Sequence, residues 1–226
     1  NTNMKGINKC FFVLVVIVIS LVFEKRVKAQ DPHFTQFYAN PIYLNPAFAG
    51  SYRCPRIVFN YRNQWPNISG TFVSTSFSFD MRVDALSGGL GLHFLNDRAG
   101  MGTMGITRFS GIYAYQVSIN RQFSMAFGFQ ATYGQKKLDW SKLTFGDMID
   151  PKYGFIYTTQ EVKNQELVSY PDFSVGALGY SKRFYAGVAA FHLTEPDEAF
   201  LGSGSPLPMK FTAHAGAMIP LDGRYG

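Results

Sequence analysis

The sequence has only two cysteines in 226 residues, Cys10 and Cys54. Cys10 falls in a stretch that reads as a removable leader, so Cys54 is left alone and an internal disulfide framework is excluded. Charge is scarce as well. Asp, Glu, Lys and Arg make up 16% of residues, against about a quarter in an ordinary soluble domain, so the surface need not be solvated everywhere. Residues 1–29 hold Lys5, Lys9, Lys25, Arg26 and Lys28 against Glu24, a net +4 of the formal +6, which leaves +2 for the remainder. The remaining Lys and Arg are scattered, so the electrostatic footprint of a nucleic-acid binder is absent. The longest apolar run, "CFFVLVVIVISLVF" (Cys10 to Phe23), has 14 residues, short of the roughly 20 that cross a bilayer as a helix. No amphipathic stretch of helical period and convincing length is found.

What is present begins with a secretion signal. Lys5 and Lys9 form a basic start, the apolar run a core, and Val27-Lys28-Ala29 a small-residue cleavage site before Gln30. Glu24-Lys25-Arg26 departs from that layout and leaves an uncleaved anchor open. Met4 reads as the natural start. The predicted organisation is a signal peptide over 1–29 and a β-barrel domain over 30–226. Within it, residues 30–55 form an extended N-terminal segment and 56–226 the barrel strands. Asn67-Ile68-Ser69 matches a glycosylation acceptor, which has meaning only in a eukaryotic host.

Past residue 56 the dominant period is two. Val73, Thr75, Phe77, Phe79 and Met81 share one face, and Ser74, Ser76, Ser78 and Asp80 the other. Phe123, Met125, Phe127, Phe129, Ala131 and Tyr133 alternate with Gln122, Ser124, Ala126, Gly128, Gln130, Thr132 and Gly134. Leu90, Leu92 and Phe94 alternate with Gly89, Gly91 and His93, and the runs around 113–119, 172–181, 183–193 and 209–219 behave alike. These runs are longer than the five or six residues of a globular strand and match the 9–11 of a membrane strand. One face is apolar and the other carries Ser, Thr, Gln and Gly, the dyad pattern of an outer-membrane barrel. The fold class predicted is therefore all-β: a transmembrane antiparallel β-barrel of outer-membrane type, with seven or eight strands. Further strands are expected beyond "LDGRYG", because an open sheet edge cannot face lipid. Irregular inserts at 136–170 and 194–208 are predicted as long loops on one rim. A secreted β-sandwich also alternates, but its outer face is ordinarily charged.

Candidate chemistry is sparse. Gly100 to Gly105 matches G-x-G-x-x-G, yet a strand-like segment follows it, so phosphates would meet no helix N-terminus. His33, His93, His192 and His214 lack paired ligand spacing and read as barrel-face or lumen residues. Asp139, Asp147, Asp150 and Asp172 lie in or beside a long loop and read as solvated. "GSGSP" at 202–206 reads as a turn, and Cys54 as inert. No enzyme is predicted, and no cofactor or metal. Trp65, Tyr61, Tyr113, Tyr133, Trp140 and Tyr180 fall near strand ends, where an interfacial girdle would place them.

Several blocks carry a resemblance: "QDPHFTQFYANPIYLNPAFAG" (Gln30 to Gly50), "NYRNQWP" (Asn60 to Pro66), "GGLGLHFLNDRAGMG" (Gly88 to Gly102), "LDWSKLTFGDMID" (Leu138 to Asp150), "PDFSVGALGY" (Pro171 to Tyr180) and "FTAHAGAMIPL" (Phe211 to Leu221). In order and spacing they resemble the PorP/SprF family, from residue 30 to the end. The resemblance implies an outer-membrane β-barrel of the Bacteroidetes-type type IX secretion system. It also implies a part in export or surface attachment of large gliding adhesins, through the secreted protein's C-terminal domain. Implied partners are outer-membrane lipid, a secreted cargo or adhesin C-terminal domain, and other type IX components. A general porin or small-solute channel and a secreted soluble β-sandwich binding module stand as alternatives. The residues singled out for partner binding are Asn40, Pro41, Tyr43, Asn45, Pro46, Phe48, Tyr61, Arg62, Gln64, Trp65, Asn96 and Asp97. The segment "YANPIYLNPAFAGSY" (Tyr38 to Tyr52) is too proline-punctuated for a regular helix. It is expected inside the barrel mouth or along its periplasmic rim, with Tyr38, Ile42, Tyr43, Leu44 and Phe48 buried.

Overall fold

The computed structural model describes residues 31–32, 34–67, 70–100, 103–160, 165–200 and 204–218. The chain divides between Asp31 and Pro32, and the second part is described here. The proposed signal peptide, His33, and parts of the Asn67-Ile68-Ser69, Gly100–Gly105 and 202–206 motifs lie outside the described residues, as does "LDGRYG".

Eight long strands form one antiparallel meander: β1 (Arg56–Gln64), β2 (Phe72–Val83), β3 (Gly88–Ala99), β4 (Met104–Ser118), β5 (Phe123–Leu138), β8 (Leu167–Ser181), β9 (Phe184–Phe191) and β10 (Lys210–Ala217). Two short strands, β6 (Ile149–Asp150) and β7 (Gly154–Phe155), make a separate hairpin within the β5–β8 connection. The strands of β4, β5 and β8 run 15 or 16 residues, ample to cross a bilayer when tilted. Turns at 84–87, 119–122 and 182–183 close one rim, while the strand ends that lead into the β1–β2, β3–β4, β5–β8 and β9–β10 connections lie at the other. Short turns on one side and longer loops opposite is the asymmetry of an outer-membrane barrel.

The two sheet faces are the reverse of those in a soluble protein. On β2, Ser76 is 0% and Ser78 1% exposed, while Phe77 between them is 41% exposed. The same holds on β4, where Ser110 is 1% and Phe109 53% exposed. Polar residues are covered and aromatics bare because the concave side is filled by the chain's own N-terminal segment. The convex side offers Phe59, Phe77, Phe94, Phe109 and Tyr133 as a cross-strand row over five strands. In water that area would be costly; against hydrocarbon it is the stable arrangement.

The sheet curls. Asn40 reaches Asn60 on β1, and Leu44, four residues later, accepts a bond from Thr212 on β10. Those four residues span about 6 Å of helix, whereas eight flat strands would hold their edges about 34 Å apart. The edges must therefore bend around the segment into a half-barrel. Among the described residues no ladder joins β1 to β10.

Candidate functional site: the plugged lumen and its long-loop rim

Each Asn-Pro pair of the N-terminal segment starts a short helical turn. Pro41 opens a single α-helical turn, α1 (Pro41–Leu44), and Pro46 opens a 3-10 turn (Pro46–Phe48). Proline suits the first helical position, where its missing N–H has no partner to lose. The prolines thus begin one-turn helices within the segment expected to be extended overall. Asn45 caps the second turn by accepting a bond from Ala47 N at 2.9 Å.

An irregular segment enclosed in a sheet must find partners for its backbone, and the polar inner face supplies them. Gly50 N donates to Asp80 Oδ2 at 3.0 Å, and Asp80 is held in turn by Arg56 Nε at 2.9 Å. Gln116 Nε2 donates to Gly50 O at 3.0 Å, and Thr212 Oγ1 to Leu44 O at 3.2 Å. Asn45 Nδ2 donates to the carbonyls of Ala177 and Val188, so one amide ties β8 to β9. Asn40 accepts from Ser78 Oγ at 3.0 Å and donates to Ser76 and Asn60. Ser76 also bonds His93 Nε2 at 2.9 Å, and the His93 ring packs on Tyr43.

Small residues set the spacing. Gly89, Gly128 and Gly176 face inward on β3, β5 and β8, and a Cβ on any of them would collide with the segment at Ala49, Ala47 or Asn45. Ile42 and Ala49 pack on Ile112 and Ala114, while Ala47 packs on Ala126 and Leu178, with Phe48 touching both groups. Phe48 also packs against His214 in a tilted arrangement and edge-on against Tyr185. Of the residues expected to be buried, Ile42 is fully so and Tyr43, Leu44 and Phe48 are half-buried. Tyr38 is corrected: it is 64% exposed, because the chain has not yet entered the sheet's concavity there.

Near the long-loop rim the β9–β10 loop folds back over the lumen. His192, in the left-handed region at φ 59°, turns the chain out of β9. Glu198, buried on this loop, takes Lys136 of β5 at 3.0 Å and Arg108 of β4 at 3.6 Å, and Tyr170 of β8 donates to it. Beside it His192 Nδ1 meets Asp172 Oδ2 at 2.7 Å, and Thr194 donates to the other carboxylate oxygen. Asp172 is therefore a buried lumen residue of β8, which corrects its reading as a solvated loop residue. Asp139, Asp147 and Asp150 do sit in the β5–β8 loop. Each is held below the usual carboxylate range by local hydrogen bonds: from Ser141, from the Gln160 amide, and from the Lys152 amide respectively. Among the described residues no group of three or more His, Cys, Asp or Glu could hold a metal ion.

The chain's fold and surface partition thus describe a membrane β-barrel wall around an internal plug. A family model for the type IX secretion system membrane protein PorP/SprF matches residues 26–225. The chain belongs to this family. Neither a curated protein nor a solved structure matches the chain.

In this PorP/SprF chain the residues singled out from sequence fall into two places. Asn40, Pro41, Tyr43, Asn45, Pro46 and Phe48 form the plug. Tyr61, Arg62, Gln64, Trp65, Asn96 and Asp97 meet at one corner of the long-loop rim, on β1 and β3. Thr75 of β2 pairs with both Tyr61 and Asn96, and Ser74 with both Arg62 and Asp97. Tyr61 and Asn96 lie on the convex face, Arg62 and Asp97 on the concave one. Arg62 donates to Gln64, Ser74 to Asp97, and the Trp65 ring, exposed at the rim, packs edge-on against Phe72. Two of the expected girdle aromatics are corrected. Trp140 is buried against Phe145 in the β5–β8 loop, and Tyr180 points inward onto the plug-side cluster. Glu198 went unnoticed in the sequence, where nothing sets it apart from its neighbours Glu195 and Asp197 in an irregular insert.

Proposed function

We propose that this protein, exported through a cleaved signal peptide, is an outer-membrane barrel of the type IX secretion system. In this reading it supports export or surface attachment of secreted proteins, including gliding adhesins, by docking their C-terminal domain. The observation that carries the reading is the filled lumen. Residues 40–50 fill the inner face and are hydrogen-bonded to it, so the surface left for function is the rim. The corner built by Tyr61, Arg62, Gln64, Trp65, Asn96 and Asp97 at the long-loop rim is the docking surface proposed.

The test is co-purification from solubilised outer membranes with full-length protein, compared with a Arg62→Ala/Trp65→Ala variant. Retention of a secreted C-terminal domain by the parent and its loss in the variant supports docking. Equal retention by both removes the proposed corner. Unchanged secretion and adhesin display after gene deletion removes the role, and a steady open conductance from the purified parent would favour the porin reading instead.

A further inference from the structure

The convex face changes character toward the long-loop rim in three successive cross-strand rows. The first is aromatic: Phe77, Phe94, Phe109 and Tyr133. The next is neutral and polar: Thr75, Asn96, Thr107 and Gln135. The third places Arg98 of β3, Gly105 of β4 and Lys137 of β5 side by side. Here a pocket of about 480 Å³ opens, walled by Arg98, Lys137 and, from the β5–β8 loop, Lys142 with Asp139. Its charges are three cations against one carboxylate, and that carboxylate lies 3.6 Å from Lys142.

We propose that this pocket binds the phosphate of a lipid headgroup in the leaflet on the long-loop side. A cation on the outer wall of a barrel is costly at the bilayer centre and cheap at the interface. Arg98 and Lys137 therefore mark headgroup depth, one polar row past the aromatic one. Strands two apart are about 10 Å distant, and Gly105 leaves the floor between the cations bare, with nothing within 4 Å of where a Cβ would stand. A phosphate seated there can take charge-assisted hydrogen bonds from both sides. Asn96 orients the wall: it donates to Thr107 Oγ1 at 2.9 Å and accepts from Arg98 Nε at 3.2 Å. The acyl chains of such a lipid would run down over Phe94, Phe109 and Tyr133, which is why the occupant is a lipid and not free phosphate. The proposal rests on the membrane placement of the sheet and is independent of cargo docking.

The probe is diphosphorylated lipid A, with its dephosphorylated form as comparison, added to the full-length protein in detergent and read by native mass spectrometry. The parent should retain the phosphorylated lipid. Arg98→Gln/Lys137→Gln should lower retention roughly ten-fold or more, the loss expected for two charge-assisted bonds, while Lys152→Gln in the same loop should not. Gly105→Leu, which leaves every charge in place and fills the floor, should also lower retention. Equal retention of both lipid forms, or of the phosphorylated form by parent and both pocket variants, would overturn the proposal. Full displacement by millimolar inorganic phosphate would overturn the lipid assignment.

Discussion

Gly128 on β5 and Ala47 in the plug meet backbone to backbone, with no room for a Cβ between them. The wall and the plug are therefore fitted at the level of the main chain, and the fit can be broken with one methyl group. Gly128→Ala should cost about 1–3 kcal/mol, the usual penalty for overpacking a tight site. Thermal unfolding in detergent should show the loss, and proteolysis should cut the displaced segment faster than in the parent.

Asn40 and Asn45 hold the plug through side-chain amides to five wall positions: Asn60, Ser76, Ser78, Ala177 and Val188. Replacing Asn40 with Ala leaves Ser76 and Ser78 buried with fewer partners, at a cost of about 1–3 kcal/mol. Pro41→Ala should change stability far less, since proline gives up no hydrogen bond at the first helical position. Comparing the two melting temperatures checks the assignment of Asn40 as anchor and Pro41 as starter.

Glu198 balances Lys136 and Arg108 beneath the β9–β10 loop. Glu198→Gln keeps the shape but leaves buried Arg108 and half-buried Lys136 without their counter-charge, a loss of about 3–5 kcal/mol for a broken buried pair. The expected readout is faster hydrogen exchange over 192–209 with the strand cores unchanged.

Asp197 carries a pH dependence of the same loop. Its carboxylate accepts from the amides of Gly204, Ala199 and Ser205, which hold it below the ordinary carboxylate range. A lowered folded value means that the stabilisation is present above the unfolded value, about 3.9. It is lost as pH falls through the lowered folded value. Exchange of the Gly204 and Ser205 amides, corrected for intrinsic rate, should be flat from neutral pH to about 4 and rise below it. In Asp197→Ala it should be fast throughout.

Much of the wall was legible in the sequence, because a period of two maps directly onto two faces. Ser74, Ser76, Ser78 and Asp80 stand opposite Val73, Thr75, Phe77 and Phe79 in the chain as they do in the sheet. The plug was legible only as to place. Proline within an apolar segment reads as a helix breaker or a turn, and only the structure shows that Pro41 and Pro46 each head a helical turn. Asp172 and His192 meet across the β8–β9 hairpin, a contact that depends on a register set by a two-residue turn at Lys182-Arg183. Trp140 and Tyr180 sit near strand ends, yet one lies under a loop and the other faces inward. Spacing cannot separate those cases from a girdle.

The central claim is that the sheet stands in lipid with its inner face sealed by the plug, and the neighbours Phe109 and Ser110 test it together. In a Cys54→Ser background, Phe109→Cys and Ser110→Cys are each exposed, in native membranes, to a charged and to a lipid-soluble thiol reagent. The account predicts that Phe109→Cys reacts only with the lipid-soluble reagent and that Ser110→Cys, 1% exposed in the parent, reacts with neither. Labelling of Phe109→Cys by the charged reagent would contradict the membrane placement, and labelling of Ser110→Cys by it would contradict the seal.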